Sequence, residues 1–530
     1  MKRFLLLLTL TLGAQAAPLE QWVYVSRNLW VDKNISDLEA LMKRASAAGY
    51  THVLLADSKF AKLGDMDTRY FTNIARVKQL ASELKLEIVP ALFSVGYSND
   101  LLWHDPNLIE ALPVRDALFV VKGGVARLSS SPPVTLRGGD LSDFTKWDWK
   151  DPDIQPYNGA AYIRDPKGNN ARIVQKLKLE PFRQYHISLR AKAQDFVGKL
   201  EVKLLVGSRE LNFNYLGVKP TQDWTPHHVV FNSLNHSDVT LYIGAWGART
   251  GSCWFDDVKI EEVALLNLVR RPGAPLVVQI EGKQILTEGK DYERLVDPNM
   301  GVKPWKGSYD IYHEPPVIKT KLPDGTRLRV SCYHAVTVHD DQAMICPSEP
   351  KSIELLRDQA KRMHAAWGAK GYMMSHDEIR VLNWCGACQK RNLDAGALLA
   401  DNVRTCIRIL REANPTGTIY VWSDMFDPNH NARKDYYLVQ GDLKNSWEGL
   451  DRQVVIVPWY FAKRDESLRW FENRGHRQVI AGYYDSRPDQ ISQWLQSAKT
   501  TRGLTGVMYT TWQNKYADLE RFAQLVRDRK

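Results

Sequence analysis

Residues 351–379 read KSIELLRDQAKRMHAAWGAKGYMMSHDEI, and this stretch decides the fold. Its first half places Ile353, Leu356, Ala360 and Met363 three or four apart, the spacing of one helix face. Its second half, 371–375, is a short apolar run of the kind buried in a parallel sheet, and it ends in a polar, acidic loop. Helix then strand is one step of an alternation that continues in both directions. Downstream, a helix over 395–413 precedes a strand over 418–422. Strand 453–459, helix 465–473, strand 478–484, helix 488–499, strand 506–510 and helix 516–528 then follow. Upstream, 22–26, 52–56 and 87–93 read as strands. The first helix between them is expected to open on a capping box, Ser36-Asp37-Leu38-Glu39, and to stop at Gly49. The second covers 72–84. Three strands and five strands make eight, and eight βα units closing on themselves form a (β/α)8 TIM barrel of the α/β class. No glycine-rich nucleotide loop supports the rival, an open doubly wound sheet.

The alternation is interrupted after the third strand. Over 115–263 the pattern changes to short alternating strands with turn signals, as in 185–189, 200–206, 227–231 and 239–243, which is the signature of an all-β sandwich. Its last segment, Cys253-Trp254-Phe255-Asp256-Asp257-Val258-Lys259-Ile260, resembles the closing strand of galactose-binding-like jelly rolls and their carbohydrate-binding modules. Residues 264–346 read as a β-rich extension or connector. The expected division is therefore a leader at 1–17, barrel strands one to three within 18–114, a jelly-roll sandwich at 115–263, the connector, and barrel strands four to eight within 347–530.

The leader has Lys2 and Arg3, an apolar run over 4–12 and the small-residue site Ala14-Gln15-Ala16, so a secreted or periplasmic protein is expected. The apolar run is too short to span a bilayer, and no integral membrane segment is expected. The net charge of +10 comes from 71 basic and 61 acidic residues that are largely interspersed, the pattern of a solvated surface rather than of a nucleic-acid binder. Seventeen Trp and 22 Tyr are many for such a chain, and they suit flat, weakly polar ligands such as sugar rings. Six cysteines in an exported chain permit disulfides. Cys385-Gly386-Ala387-Cys388 has the spacing of a zinc half-site, a redox pair or a local structural bridge. With no two further zinc ligands nearby in the sequence, a structural role is expected, and neither a metal nor a cofactor.

A barrel of parallel strands presents its chemistry at the C-terminal strand ends. Those ends here are Ser26-Arg27-Asn28, Asp57-Ser58, Phe93, Ser375-His376-Asp377-Glu378, Trp422-Ser423-Asp424, Pro458-Trp459-Tyr460, Tyr483-Tyr484-Asp485 and Thr511-Trp512-Gln513. Aromatic rings and carboxyls would thus converge on one mouth. Asp377 and Glu378 are the sharpest feature. Two carboxyls at a strand-to-loop bend repel, and one tends to keep its proton near neutral pH, as a general acid must. A structural alternative has Asp377 capping its loop and Glu378 pairing with Arg380. In the sandwich, Trp147, Trp149 and Trp246 read equally as sugar-stacking or as core residues, while His334, His339, Asp340 and Asp341 after it read as a solvated loop before a metal or substrate edge.

On the segments MMSHDEI (373–379) and VWSDMF (421–426), with Tyr and Trp on later strands, the chain resembles glycoside hydrolase family 20, the β-N-acetylhexosaminidases. That resemblance implies Glu378 as the general acid/base. It also implies Asp377 as the group that orients a substrate 2-acetamido whose oxygen attacks the anomeric carbon, a route without a protein nucleophile. It further implies substrate contacts from Arg27, His376, Trp422, Asp424, Trp459, Tyr484, Asp485 and Trp512. Two other readings stay open. In one, Asp485 or Asp424 is a protein nucleophile with Glu378 as acid/base. In the other, the protein binds glycan without cleaving it. An oligo- or polysaccharide is the expected partner in all three, and the sequence leaves the oligomeric state open.

Overall fold

The computed structural model describes residues 19–339, 341–485 and 487–528, so the expected leader, Asp340 and the last two residues lie outside it. Eight strands lie side by side in chain order and close into a parallel barrel. They are β1 (Glu20–Ser26), β2 (His52–Ala56), β3 (Glu87–Leu92), β4 (Gly371–Met374), β5 (Thr418–Trp422), β6 (Val455–Val457), β7 (Gln478–Ile480) and β8 (Leu504–Tyr509). Closure is the pairing of β8 with β1, where Met508 lies opposite Trp22. Alternate residues along each strand point into the lumen. The inward set is Trp22, Leu54, Val89, Met373, Tyr420, Trp422, Val455, Val457, Val479, Ala481 and Met508, which pack on one another. The outward set, among them Val23, Leu55, Met374 and Ile456, joins the helices in the main core.

The first helix, Asp32–Ala47, begins four residues before the expected capping box. Ser36 sits inside it, its hydroxyl donating to the Asp32 carbonyl at 3.4 Å, and Val31 at the N-cap offers no side-chain cap. The first turn is held by packing of Ile35 and Leu38 instead of by a cap. Gly49 does end the helix, with φ +91°, a conformation that suits glycine. The second helix, Thr68–Glu83, starts earlier than expected, because the Asp67 side chain caps it by accepting from Tyr70 N at 3.1 Å.

The expected α/β class with eight regular βα units is corrected. Among the described residues, no α-helix lies between β5 and β6; that crossover is made by the 3-10 turns Asp424–Phe426 and Ser446–Gly449 and the short strand Leu438–Val439, which pairs with Val381–Leu382 from the β4–β5 connection. The segment Asp427-Pro428-Asn429-His430-Asn431 in it is built of turn-forming residues, whose short side chains bond to nearby backbone in place of a helix. More of the chain lies in antiparallel sheets than in the barrel. The molecule is mostly β, with three five-stranded antiparallel sheets beside the closed eight-stranded parallel barrel.

Two of those sheets form the sandwich. One is built on Gln222–Asn232, Gln184–Val197, Thr250–Val263, Ala160–Arg164 and Ile154–Tyr157, the other on Arg209–Glu210, Leu200–Val206, Asp238–Ala245, Ala171–Lys178 and Trp149–Lys150. The third sheet joins chain from both sides of the sandwich: Ala111–Lys122 and Val125–Leu128 pair with Arg327–Ala335 and Ile318–Lys319, and Val277–Ile280 adds the edge. It has its own core of Phe119, Val278, Leu328 and Val330. The excursion leaves and re-enters the barrel as one antiparallel pair. Glu110 N donates to Met344 O and Cys346 N to Leu108 O, each at 2.7 Å. No helix among the described residues is long and apolar enough to cross a membrane.

Candidate active site

At the C-terminal mouth of the barrel lies a cavity of about 670 Å³. Its floor and walls continue the inward alternation of the strands: Tyr24 and Ser26 after Trp22, Ser375 and Asp377 after Met373, Trp459 after Val457, Tyr483 after Ala481, and Trp512 beyond Met508. Trp422 is 4 % exposed and forms the floor, whereas Trp512, at 44 %, stands at the rim. Tyr24, Trp422 and Trp512 make one aromatic wall, with Tyr24 4.9 Å from Trp512 and Trp422 5.8 Å from Trp512. Trp459 meets His430 edge-on at 4.5 Å.

Asp377 and Glu378 both line this cavity. Adjacent strand residues face opposite ways, and the exception arises because Glu378 takes φ +49°, which turns its side chain back toward the lumen. Left-handed backbone on a residue with a side chain is costly and persists where its surroundings impose it. Here Glu378 N donates to Asp424 Oδ2 at 2.9 Å, and Gln342 Nε2 bridges the Gly96 and Glu378 carbonyls at 2.8 and 3.2 Å. The Glu378 carboxylate pairs with Arg380 at 2.7 Å and accepts from the Tyr97 hydroxyl. Arg380 is itself buried, donates to Gln342 Oε1 and lies 4.9 Å from the Tyr437 ring centre. Asp377 has no such cation. Burial first, then the charges of Asp424 and Glu378, push it up to about 8. Asp424 is fully buried beneath the pair and is raised to about 7, chiefly by burial, against the hydrogen bond from Glu378 N and one from Asn431 Nδ2 at 2.9 Å.

Of the residues singled out in the sequence, Asp377, Glu378, Trp422, Trp459 and Trp512 line the cavity and five others do not. Arg27 points aside, donating to its neighbour's carbonyl and to Asn514. His376 is fully buried on the outward face, with Nε2 3.2 Å from Asn402 Oδ1, and burial lowers it to about 4, so the ring is neutral. Tyr484 stacks on Tyr509 and meets Phe522 edge-on, away from the cavity. Asp485 accepts from the Thr511 hydroxyl, from Trp512 N at 2.9 Å and from Gln513 N at 3.2 Å, and so braces the loop that carries Trp512. Asp424 supports the pair from below.

No protein-family model matches the sequence, and no curated protein matches it. Among solved structures, the chain is similar to one described as "CBM4 structure and function", with 23 % identity over 22 % of this chain and 78 % of that one and a TM-score of 0.19. It is similar to a "Family 16 Carbohydrate Binding Module-2" at 16 % identity over 21 % of this chain and 82 % of that one, with a TM-score of 0.16. Similarity to a rhamnosidase from Novosphingobium sp. PP1Y covers 96 % of this chain but 58 % of that one, at 12 % identity and a TM-score of 0.33. Likenesses this distant do not assign a reaction.

The cavity also contains residues that the sequence did not single out as ligands. Tyr97 comes from the loop after β3, and Gln359, from the helix Pro350–Trp367, lines the wall while accepting from Phe93 N at 3.2 Å. Asp57 lines the wall with its carboxylate held by Leu29 N, Lys59 N and the Tyr70 hydroxyl, at 2.8, 2.9 and 2.6 Å. Asp100 is pushed up to about 6 by burial. The inward alternation, followed along each strand and past its end, picks out Tyr24, Ser26 and Tyr483 and rejects Arg27, His376 and Tyr484. Tyr97, Gln359 and Asp100 follow no such rule. In the sandwich, Trp147 is core, while Trp149 is exposed beside Arg172, whose guanidinium lies 5.5 Å from its ring. His334 is buried between Gln184 and Asn232, away from His339, which contacts Tyr215. All six cysteines are free and buried, so no bridge forms between Cys385 and Cys388.

Proposed function

We propose that this cavity hydrolyses a glycosidic bond of an N-acetylhexosamine, with Asp377 delivering the proton, Glu378 standing as the anion and the substrate's own 2-acetamido oxygen attacking the anomeric carbon. The asymmetry of the acidic pair carries the reading. Glu378 pairs with the buried Arg380 guanidinium at 2.7 Å, whereas Asp377 makes no ion pair and, raised to about 8, keeps its proton at neutral pH. A protonated carboxyl in the cavity is what a leaving glycosidic oxygen requires, and a fixed anion beside it offsets the positive charge that develops on the sugar or the oxazoline. This division exchanges the roles that the resemblance to family 20 implies.

Participation by the acetamido group is supported by the condition of the other two carboxyls considered as nucleophiles. Asp485 has three donors and does not line the cavity; Asp424 lies beneath the pair, held by the Glu378 amide and Asn431. The wall of Tyr24, Trp422 and Trp512 suits the apolar face of a pyranose, and the volume lies in the usual range for a small-ligand pocket, roughly 300–1,000 Å³. The leader read in the sequence would deliver such a hydrolase to glycans outside the cytoplasm.

Hydrolysis of aryl β-glycosides with and without a 2-acetamido group tests the reading. Turnover confined to the acetamido substrates, and blocked by an oxazoline mimic, is expected. Equal turnover of substrates lacking the acetamido group would transfer the nucleophile to the protein. Binding of both classes with hydrolysis of neither would make the cavity a glycan receptor.

A further inference from the structure

Cys346, Cys385, Cys388 and Glu110 each place a ligand atom within 4.8 Å of the others, and all four are buried. This is the one such group of three or more His, Cys, Asp or Glu among the described residues. Cys346 Sγ is 3.4 Å from Cys385 Sγ and 3.7 Å from Cys388 Sγ, and Cys388 Sγ is 3.5 Å from Glu110 Oε2. These separations are far longer than a disulfide, about 2.05 Å. They are close to the edge of a tetrahedron of zinc–sulfur bonds about 2.3 Å long, which is about 3.8 Å. We propose that the four side chains bind one structural zinc ion, Cys3Glu in type, that staples the inserted sheets to the barrel.

The surroundings are organised as a ligand site is. Glu110 Oε1 accepts from Trp384 N at 2.8 Å and Cys385 N at 2.9 Å, which fixes the carboxylate and leaves Oε2 aimed at the sulfurs. Ala387 N donates to Gly273 O at 3.0 Å, pinning the turn between the two cysteines of the Cys-Gly-Ala-Cys loop. Arg271 stands beside Cys346, Cys385 and Glu110 and supplies a positive charge toward a site whose four ligands would carry four negative ones. Without a cation, three thiols and a carboxyl would share a dry pocket with few good hydrogen bonds, since S–H is a weak donor. Zinc takes thiolates and carboxylate in tetrahedral geometry, and a site closed by four protein ligands is structural and not catalytic.

The ligands also have a topological logic. Glu110 is the last residue before the excursion, Cys346 is where the chain returns, and Cys385 and Cys388 lie in the loop that follows Asp377 and Glu378. One ion would therefore join both stalks of the insert to the loop bearing the acidic pair.

The full-length protein, purified without chelator from zinc-supplemented culture, is analysed by elemental mass spectrometry. About one zinc per chain is expected, with Cys346, Cys385 and Cys388 becoming reactive to a thiol reagent only after metal removal. Cys346→Ser and Cys385→Ser should bring zinc below about 0.2 per chain, while Cys332→Ser and Cys406→Ser, outside the cluster, keep it. If the ligand variants do not fold, the stoichiometry of the native chain decides. Less than about 0.1 zinc per native chain overturns the assignment, and so does a Cys385–Cys388 linked peptide with a mass about 2 Da low.

Discussion

Asp377 and Glu378 are neighbours in the chain with opposite electrostatic surroundings. Glu378 is paired directly with Arg380 and accepts from Tyr97; Asp377 has no ion pair, and the raising effect of burial and of Asp424 and Glu378 outweighs the more distant charge of Arg380. Under the proposed function, Asp377→Asn keeps the shape but carries no proton to deliver, so kcat on an aryl N-acetylhexosaminide should fall by about 10²–10⁴-fold. In the native enzyme, kcat/KM should decline as pH rises through about 8, where Asp377 loses its proton. A pH–rate profile flat to pH 10 would remove Asp377 from the role. Glu378→Gln keeps the hydroxyl contact to Tyr97 but loses the anion. Its kcat should drop about 10²-fold or more, with KM changed much less, as measured by initial rates over a range of substrate. Both residues were legible in the sequence as a pair. The Glu378–Arg380 pair was an open reading as well, but which residue holds the proton was not legible, because burial and the approach of Asp424 from the end of another strand decide it.

At the scale of elements, the site depends on loops that approach closely. A Cβ on Gly96, in the loop after β3, would run into the Asp377 carbonyl oxygen. Gly96→Ala should thus displace the acidic loop and lower kcat about tenfold or more while the barrel stays folded by circular dichroism. Asp485 braces the loop of Trp512 from outside the cavity. Asp485→Asn retains an acceptor, so KM should rise a few-fold and kcat stay within about threefold, whereas a nucleophile in that position would lose about 10³-fold. The strand positions and the aromatic residues at their ends could be read from short apolar runs. The two-residue alternation past the strand ends turns Tyr483 and Ser375 into the cavity and Tyr484 and His376 away from it, whereas the family resemblance implied the latter two. The capping box failed for another reason. Ser36 and Glu39 have the right spacing, but Ile35 and Leu38 continue the buried face one turn earlier and extend the helix over them.

For the whole molecule, the buried acidic cluster makes stability depend on pH. The folded state raises Asp377 to about 8 and Asp424 to about 7, so both bind protons more tightly folded than unfolded. The stability they contribute is complete below the ordinary carboxyl range and is lost as pH rises toward 7–8. The native protein should therefore melt lower at pH 9 than at pH 6, and Asp377→Asn should narrow that difference by raising Tm at pH 9 by about 1–3 °C. Scanning calorimetry at the two pH values measures it.

The amino-acid sequence alone established the eight short strands, the β-rich interruption after the third, the aromatic strand ends and the acidic pair, since each is a local pattern of apolar spacing or adjacent residue types. The tertiary structure decided what depends on distant chain. It replaced the regular α/β repeat with a mostly β molecule, because a crossover rich in Asn and Asp forms turns where a helix was expected, and because the antiparallel sheets outgrow the barrel. It also brought Asp424 beneath Asp377, and Glu110 and Cys346 to Cys385 and Cys388, whereas the pairing of Glu378 with Arg380 two residues on was already open in the sequence. Charge, proton affinity and metal geometry act over a few ångströms of space, and residues on separate strands and loops share that space only after the chain has closed.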